Sequence, residues 1–457
     1  MSLRRHWFDQ LARACFGSAT RSRRVGFRQR SVEALEERKY LSATMTLLNN
    51  GHTLSIVGDR SDNHIAITQD ASGVHVTADT SPTRNFTGIE VIQVETGEGN
   101  DDVRVIYGFN PQPDPPGVPF RAADLYVRLG NGNDTFNFDG QFLPGTLRVA
   151  VDAGAGNDDV RVNCSFNPQP DPPADPIRPS DLYVRLGAGN DRFSLNFAEA
   201  TDSRFPPDPC RVSVMGEGGA DSINALIGLL SNATPSVSVQ GSLDMTLDGG
   251  EGNDVVTSTL RNVNLNGRTG IDLQGGNGND NVRQVLDMVT VNAELGLNVG
   301  GGLGDDVLML LNAAEPRTDA AMPPTLFVNG HARLNVQGDA GNDRLLGLLQ
   351  PCIMPAGSLD MVFSGGGGND VITLLLGLEA GAADPPPDGT TGELNPPSDR
   401  GGPVSLTVLG GEGNDQLNLA VRNLDNPESP LTLRLEGGPG RDTAQVSIGI
   451  DAGGWTN

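Results

Sequence analysis

Lysine is almost absent from this 457-residue chain: Lys39 is the only one. That removes Schiff-base and lysine-base chemistry from everything beyond it. Aromatic residues make up 5%, so a core must be built from Val, Leu and Ile. No run approaches the roughly 18 apolar residues that cross a bilayer, and no transmembrane helix is expected. Cysteine is sparse. Cys15, Cys164, Cys210 and Cys352 show neither a metal-ligand spacing nor a disulfide framework, and buried or free thiols are expected.

Charge is present but split along the chain. Residues 1–43 carry ten basic and four acidic residues, which leaves 22 basic and 53 acidic groups for the rest. The body therefore carries a net −31 and would repel nucleic acid; it suits cations. The first 43 residues have no apolar run long enough for a secretory signal, because Asp9 and Arg13 break the best candidate at Trp7–Phe16. By physics alone they form a basic arm.

Glycine is abundant, with 60 residues, and it recurs in a fixed frame. In Leu247-Asp248-Gly249-Gly250-Glu251-Gly252-Asn253-Asp254-Val255-Val256, apolar positions precede a glycine turn, Asn-Asp and an apolar restart. Related copies end at Asp101, Asp134, Asp158, Asp191, Asp221, Asp254, Asp280, Asp306, Asp343, Asp370, Asp415 and Asp442, spaced 24 to 45 residues apart. Aligned on that Asp, the residues nine before, seven before and two after are apolar in all twelve copies. Alternation with period two makes each flank a short strand with one inward face. A unit of about 30 residues cannot bury that face alone, but stacked units can. The fold expected is all-β: a right-handed parallel β-helix or β-roll-like solenoid of about 12–13 coils, one glycine turn per coil. At about 4.8 Å per coil the rod would be on the order of 60 Å long.

Residues 44–90 read as an N-terminal cap holding a worn first repeat, Gly58 to Asn63, and residues 91–457 as the solenoid. Insertions account for the uneven period. Phe109–Pro116 recurs as Phe166–Pro173, and Asp124–Gly130 as Asp181–Gly187, at the same 57-residue offset, so a two-coil block has been duplicated. Proline keeps such insertions out of the stack, and the longest of them, 383–400, explains the 45-residue gap.

Glycine stands two residues before the Asp in every copy and four before it in ten, Glu217 and Asp339 being the exceptions. Asn precedes the Asp in nine copies. Such sequences are good turns in their own right, so a solenoid that binds no calcium is one reading. Turn chemistry does not explain why Asp holds the last place twelve times. Carboxylates stacked about 4.8 Å apart would repel by roughly 1 kcal/mol in water and about 3.5 kcal/mol at an effective dielectric of 20. A bound cation reverses that sign, and Ca²⁺ takes six to eight carboxylate and carbonyl oxygens.

Gly-Gly-x-Gly-Asn-Asp followed by an apolar residue resembles the haemolysin-type (RTX) calcium-binding repeat. The full matches are Gly249–Asp254, Gly275–Asp280, Gly301–Asp306 (with Asp305 for Asn), Gly365–Asp370 and Gly410–Asp415. The resemblance implies several Ca²⁺ ions between stacked turns. Their ligands would be the twelve aspartates and the carbonyls of Gly249, Gly250, Gly275, Gly276, Gly301, Gly302, Gly365, Gly366, Gly410 and Gly411. RTX repeats run in tandem, whereas each turn here is followed by 15 or more other residues, which implies a wider coil. The segment Leu35-Glu36-Glu37-Arg38-Lys39-Tyr40-Leu41 resembles the LEPR-XLL leader of planctomycete surface and exported proteins, with Glu37 in place of proline and Tyr40 in place of leucine.

Together these readings lead to an extracellular or cell-surface calcium-binding scaffold, adhesive or matrix-forming, with a glycan or protein of the cell surface as partner. An enzyme acting on polysaccharide is the alternative from another class. It would need converging carboxylates at one place, yet outward acids such as Asp152, Asp244, Asp272 and Asp360 recur without any copy being singled out, and His52, His64, His75 and His331 are scattered. No catalytic residue is assigned.

Overall fold

The computed structural model describes residues 43–70, 72–107, 124–142, 147–166, 180–197, 204–205, 210–228, 237–312, 326–354, 357–379, 402–422 and 431–449. The basic arm (1–42), most of each proline-rich insertion, including 383–400, and the last eight residues lie outside the described set.

Each repeat folds as strand, glycine turn, strand, and the repeats stack in register. The strands before the turns form one 14-stranded sheet. Its first pairing, Thr44–Leu48 on Thr53–Val57, is antiparallel. Every later pairing is parallel, from Thr53–Val57 on Val91–Glu98 to Val404–Glu412 on Leu431–Glu436. Strands after the turns build a second parallel sheet, from His64–Asp70 on Asp102–Tyr107 to Gln416–Arg422 on Thr443–Gly449. The chain is a parallel β-solenoid, as the alternation requires.

Register follows from the inward set. Leu125, Val149 and Leu182 face one another on successive strands, as do Val127, Val151 and Val184. These positions, with Phe136, Val160 and Phe193 on the second sheet, are at most 3% exposed. Slipping one strand by a residue would turn its whole apolar set to water, so the burial fixes the pairing. The final coil is the exception: Leu433 and Leu435 are only partly buried and Val446 is 43% exposed, because no further described coil covers them.

At the opposite end, residues 44–90 cover the first coil. The antiparallel meander His64–Asp70, Gly73–Ala78 and Arg84–Phe86 closes the second sheet, while Thr44–Leu48 closes the first. Antiparallel strands at an edge stop further parallel addition, as a terminal cap must.

A third, short face was not legible in the repeat. The long strands Val255–Leu265 and Asn281–Val291 bend where Asn262 (φ 54°) and Met288 (φ 55°) take left-handed conformations. Beyond the bends, Val237–Val239, Val263–Leu265, Val289–Val291, Leu326–Val328 and Cys352–Ile353 stack as a narrow strip.

Candidate functional site: the aspartate column

In-register stacking puts the repeat aspartates in one column. Asp101, Asp134, Asp158, Asp191, Asp221, Asp254, Asp280, Asp306, Asp343, Asp370 and Asp415 are each at most 2% exposed. Asp442, on the last coil, is less covered. All twelve are joined. The backbone N–H of each donates to Oδ1 of the Asp on the next coil, at 2.6–3.0 Å, from Asp101 through to Asp442. Asn63 starts the chain of bonds by donating its own N–H to Asp101 Oδ1 at 2.8 Å. The worn first repeat is therefore part of the column, and its Asn lies fully buried there.

A second column runs beside it in the opposite sense. The N–H of Asn133 donates to Asn100 Oδ1 on the preceding coil, that of Asn157 to Asn133, and that of Asn190 to Asn157, each at 2.8 Å. The pattern continues through Asn279, Asn342, Asn369 and Asn414. Ala220 interrupts it, since it offers no side-chain acceptor to the coil above, whereas Asp305 substitutes for Asn and accepts from Asn342. The Asn-Asp order now has a cause: Asn reaches forward one coil, Asp reaches back one, and each coil is stapled to both neighbours. Hydrogen bonds to a charged acceptor contribute roughly 1.5–3 kcal/mol each. The sequence signal for the Asn column was its presence in nine copies, but its direction could not be read from spacing.

The second carboxylate oxygen is treated differently. From Asp134 to Asp415, Oδ2 of every column aspartate is buried without a hydrogen-bond partner. Burial is the first cause of the raised pKa of the column aspartates from Asp134 to Asp370, and neighbouring carboxylates add to it in several. Asp134, Asp254 and Asp343 are pushed up to about 6, and Asp158, Asp221 and Asp306 to about 7. The N–H bonds on Oδ1 oppose the rise without cancelling it.

The glycines divide into two kinds. Gly249, Gly275, Gly301, Gly365 and Gly410 face inward beneath their own aspartates. A methyl group on Gly249 would lie 2.6 Å from Asp254 Oδ2, and the carbonyl oxygen of Gly275 on the next coil points at the same place. Their equivalents on the first four coils are Thr96, Leu129, Ala153 and Leu186, so only the later coils bring a glycine carbonyl and a bare Cα to the carboxylate. Gly250, Gly276, Gly302, Gly366 and Gly411 take φ of +103° to +115°. The carbonyls of Gly250, Gly276 and Gly366 point along the stack at the equivalent residue of the following coil.

Two copies lack glycine at that position, and Glu217 (φ 75°) and Asp339 (φ 72°) still adopt the conformation. Left-handed backbone costs a residue with a Cβ about 1–2 kcal/mol. Asp339→Gly is therefore expected to stabilise the rod by about 1 kcal/mol in denaturant unfolding. Glu217→Gly should gain less, because Glu217 accepts a 2.8 Å hydrogen bond from Arg185.

Among the described residues the acids form this column and not a cluster, for no three His, Cys, Asp or Glu side chains converge as a metal-holding group. A cation would draw on column oxygens and main-chain carbonyls. Compared with known proteins, the chain matches no family model, no curated sequence and no solved structure.

Proposed function

We propose that the chain is an extracellular or cell-surface repeat scaffold, adhesive or matrix-forming, whose rod is stiffened by calcium along the aspartate column. The observation that carries this reading is the row of buried carboxylate oxygens, one per coil, each without a hydrogen-bond partner. Buried polar atoms are normally satisfied, and an unpaired anionic oxygen costs more than a neutral one. A hard divalent cation is the partner that such oxygens and adjacent glycine carbonyls suit. The coils ending at Asp221, Asp254, Asp280, Asp306, Asp343, Asp370 and Asp415 offer both donor types and are the ones that would hold it. Calcium there would neutralise the mutual repulsion of the column.

The group around His331 does not have the geometry of a catalytic triad. His331 Nδ1 lies 2.6 Å from Ser358 Oγ, but its Nε2 is 3.8 Å from Asp360. That second distance is too long for the hydrogen bond that orients a catalytic base, and the group sits on the outer face of a sheet. No described helix is long and apolar enough to cross a membrane.

The test is thermal melting followed by circular dichroism, in millimolar calcium and in EGTA. The melting temperature is expected to rise with calcium concentration, as binding to the folded state alone requires. Identical curves in the two conditions would rule out calcium as the stiffening ion.

A further inference from the structure

The duplicated two-coil block leaves a particular surface behind. Asp124, Tyr126 and Arg128 alternate with inward residues on one strand, and Asp181, Tyr183 and Arg185 do so two coils later. Tyr126 and Tyr183 are two of the chain's four tyrosines. They lie in one outward row, Tyr126 beside Ala150 and Ala150 beside Tyr183. Two coils separate the rings' attachment points by about 9.6 Å, with only a methyl group on the strand between.

The two copies of the block have not been kept equally. On the strands opening each block, the outward residues Val91, Gln93 and Glu95 correspond to Arg148, Ala150 and Asp152, so all three have diverged. On the following strands Asp, Tyr and Arg are identical in both copies. The tyrosines are also held alike: Arg148 donates a hydrogen bond to the Tyr126 hydroxyl, and Arg211 does the same for Tyr183, each from the next coil.

Charge around the rings is balanced. Arg128 lies 3.8 Å from Asp152, and Arg148 lies 3.5 Å from Asp181; Arg185 and Arg211 stand opposite Asp152 and Asp181 on adjacent strands. Within a body of net −31 this patch is far less acidic than the rest, with Arg128, Arg148, Arg185 and Arg211 standing among Asp124, Asp152, Asp181 and Glu217. An acidic polymer would still meet the field of the rod, while a neutral one meets none. Two aromatic side chains about 9.6 Å apart, bordered by fixed donors and acceptors, match a chain of pyranose rings: apolar C–H faces stack on the aromatics and hydroxyls take the polar contacts.

We propose that Tyr126 and Tyr183 form two equivalent subsites, one disaccharide apart, for a neutral, extended polysaccharide lying along the rod. This supplies a ligand class to the adhesive scaffold proposed above. Its failure is separable from that reading, because the melting response to calcium does not depend on these outward side chains.

The experiment is calorimetric titration of the full chain with two neutral β-1,4-linked probes, cellohexaose and chitohexaose, and with the matching disaccharides. At least one hexasaccharide is expected to bind, and its disaccharide more weakly, because only the longer chain spans both rings. Tyr126→Ala and Tyr183→Ala should each weaken binding by roughly three- to ten-fold, to similar extents. Ala150→Gln, which fills the floor between the rings and removes neither, should also weaken it, while Thr246→Ala further along the row should not. Absence of binding by both hexasaccharides at millimolar concentration, or affinity unchanged in the double alanine variant, would overturn the proposal.

Discussion

Gly278→Ala is expected to cost the rod roughly 3–5 kcal/mol. Gly278 sits at φ +142°, and a Cβ there would run into the carbonyl oxygen of Gly252 on the preceding coil. Neither backbone is free to retreat. Gly252 N–H is bonded to Asn277 O at 2.8 Å and Gly278 N–H to Leu303 O at 2.7 Å, so separating the coils breaks bonds on both sides. Conformational strain of about 1–2 kcal/mol adds to the steric cost. Gly218→Ala is the matched control: nothing lies within 4 Å of its added carbon and its φ is not positive, so a change within about 0.5 kcal/mol is expected. Urea unfolding of the two variants checks the contrast. Because each coil contacts only its neighbours, Gly278→Ala should also raise amide exchange locally before the whole rod melts.

The second large effect belongs to the column. Asp280→Ala removes the acceptor of Asp254 N–H, a 2.7 Å bond in the buried strip, and strands a donor there. A loss of about 2–3 kcal/mol is expected in calcium-free buffer. Asp280→Asn keeps an oxygen for that donor and discards the charge, so in EGTA it should match or exceed the parent. The same logic gives the column an unusual pH response. Asp134, Asp254 and Asp343 titrate at about 6, and Asp158, Asp221 and Asp306 at about 7, in the folded chain. These values lie above those of unfolded carboxylates, so between them the folded state binds more protons. Without calcium, stability is therefore expected to increase as pH falls from about 8 to about 5, the reverse of ordinary acid denaturation. Melting temperatures in EGTA across that range measure it.

Period-two alternation around the turn was enough to name the inward residues of the first eleven coils, because a half-buried strand has only two faces and one was apolar every time. The column could be anticipated for the same reason: a fixed position in a stacked unit must line up with itself. What stayed hidden was direction. Oδ1 of each Asp answers an N–H on the coil before it, and Asn answers the coil after it; no spacing encodes that choice. The bends at Asn262 and Met288 were equally silent, since neither carries the glycine that usually marks left-handed backbone. At Glu217 and Asp339 tertiary stacking imposes a conformation that their side chains resist.

The calcium-stiffened scaffold requires the partnerless oxygens of the column to be cation ligands. Calorimetric titration of the full chain with calcium at pH 6.5, repeated in two buffers of different ionisation heat, measures both ions bound and protons released. Asp254 and Asp306, pushed up to about 6 and about 7, must give up protons as metal enters. Calcium ligation predicts several ions per chain, proton release at pH 6.5 that diminishes by pH 8, and fewer ions in Asp280→Asn. No uptake at millimolar calcium, or uptake without proton release at pH 6.5, would contradict it.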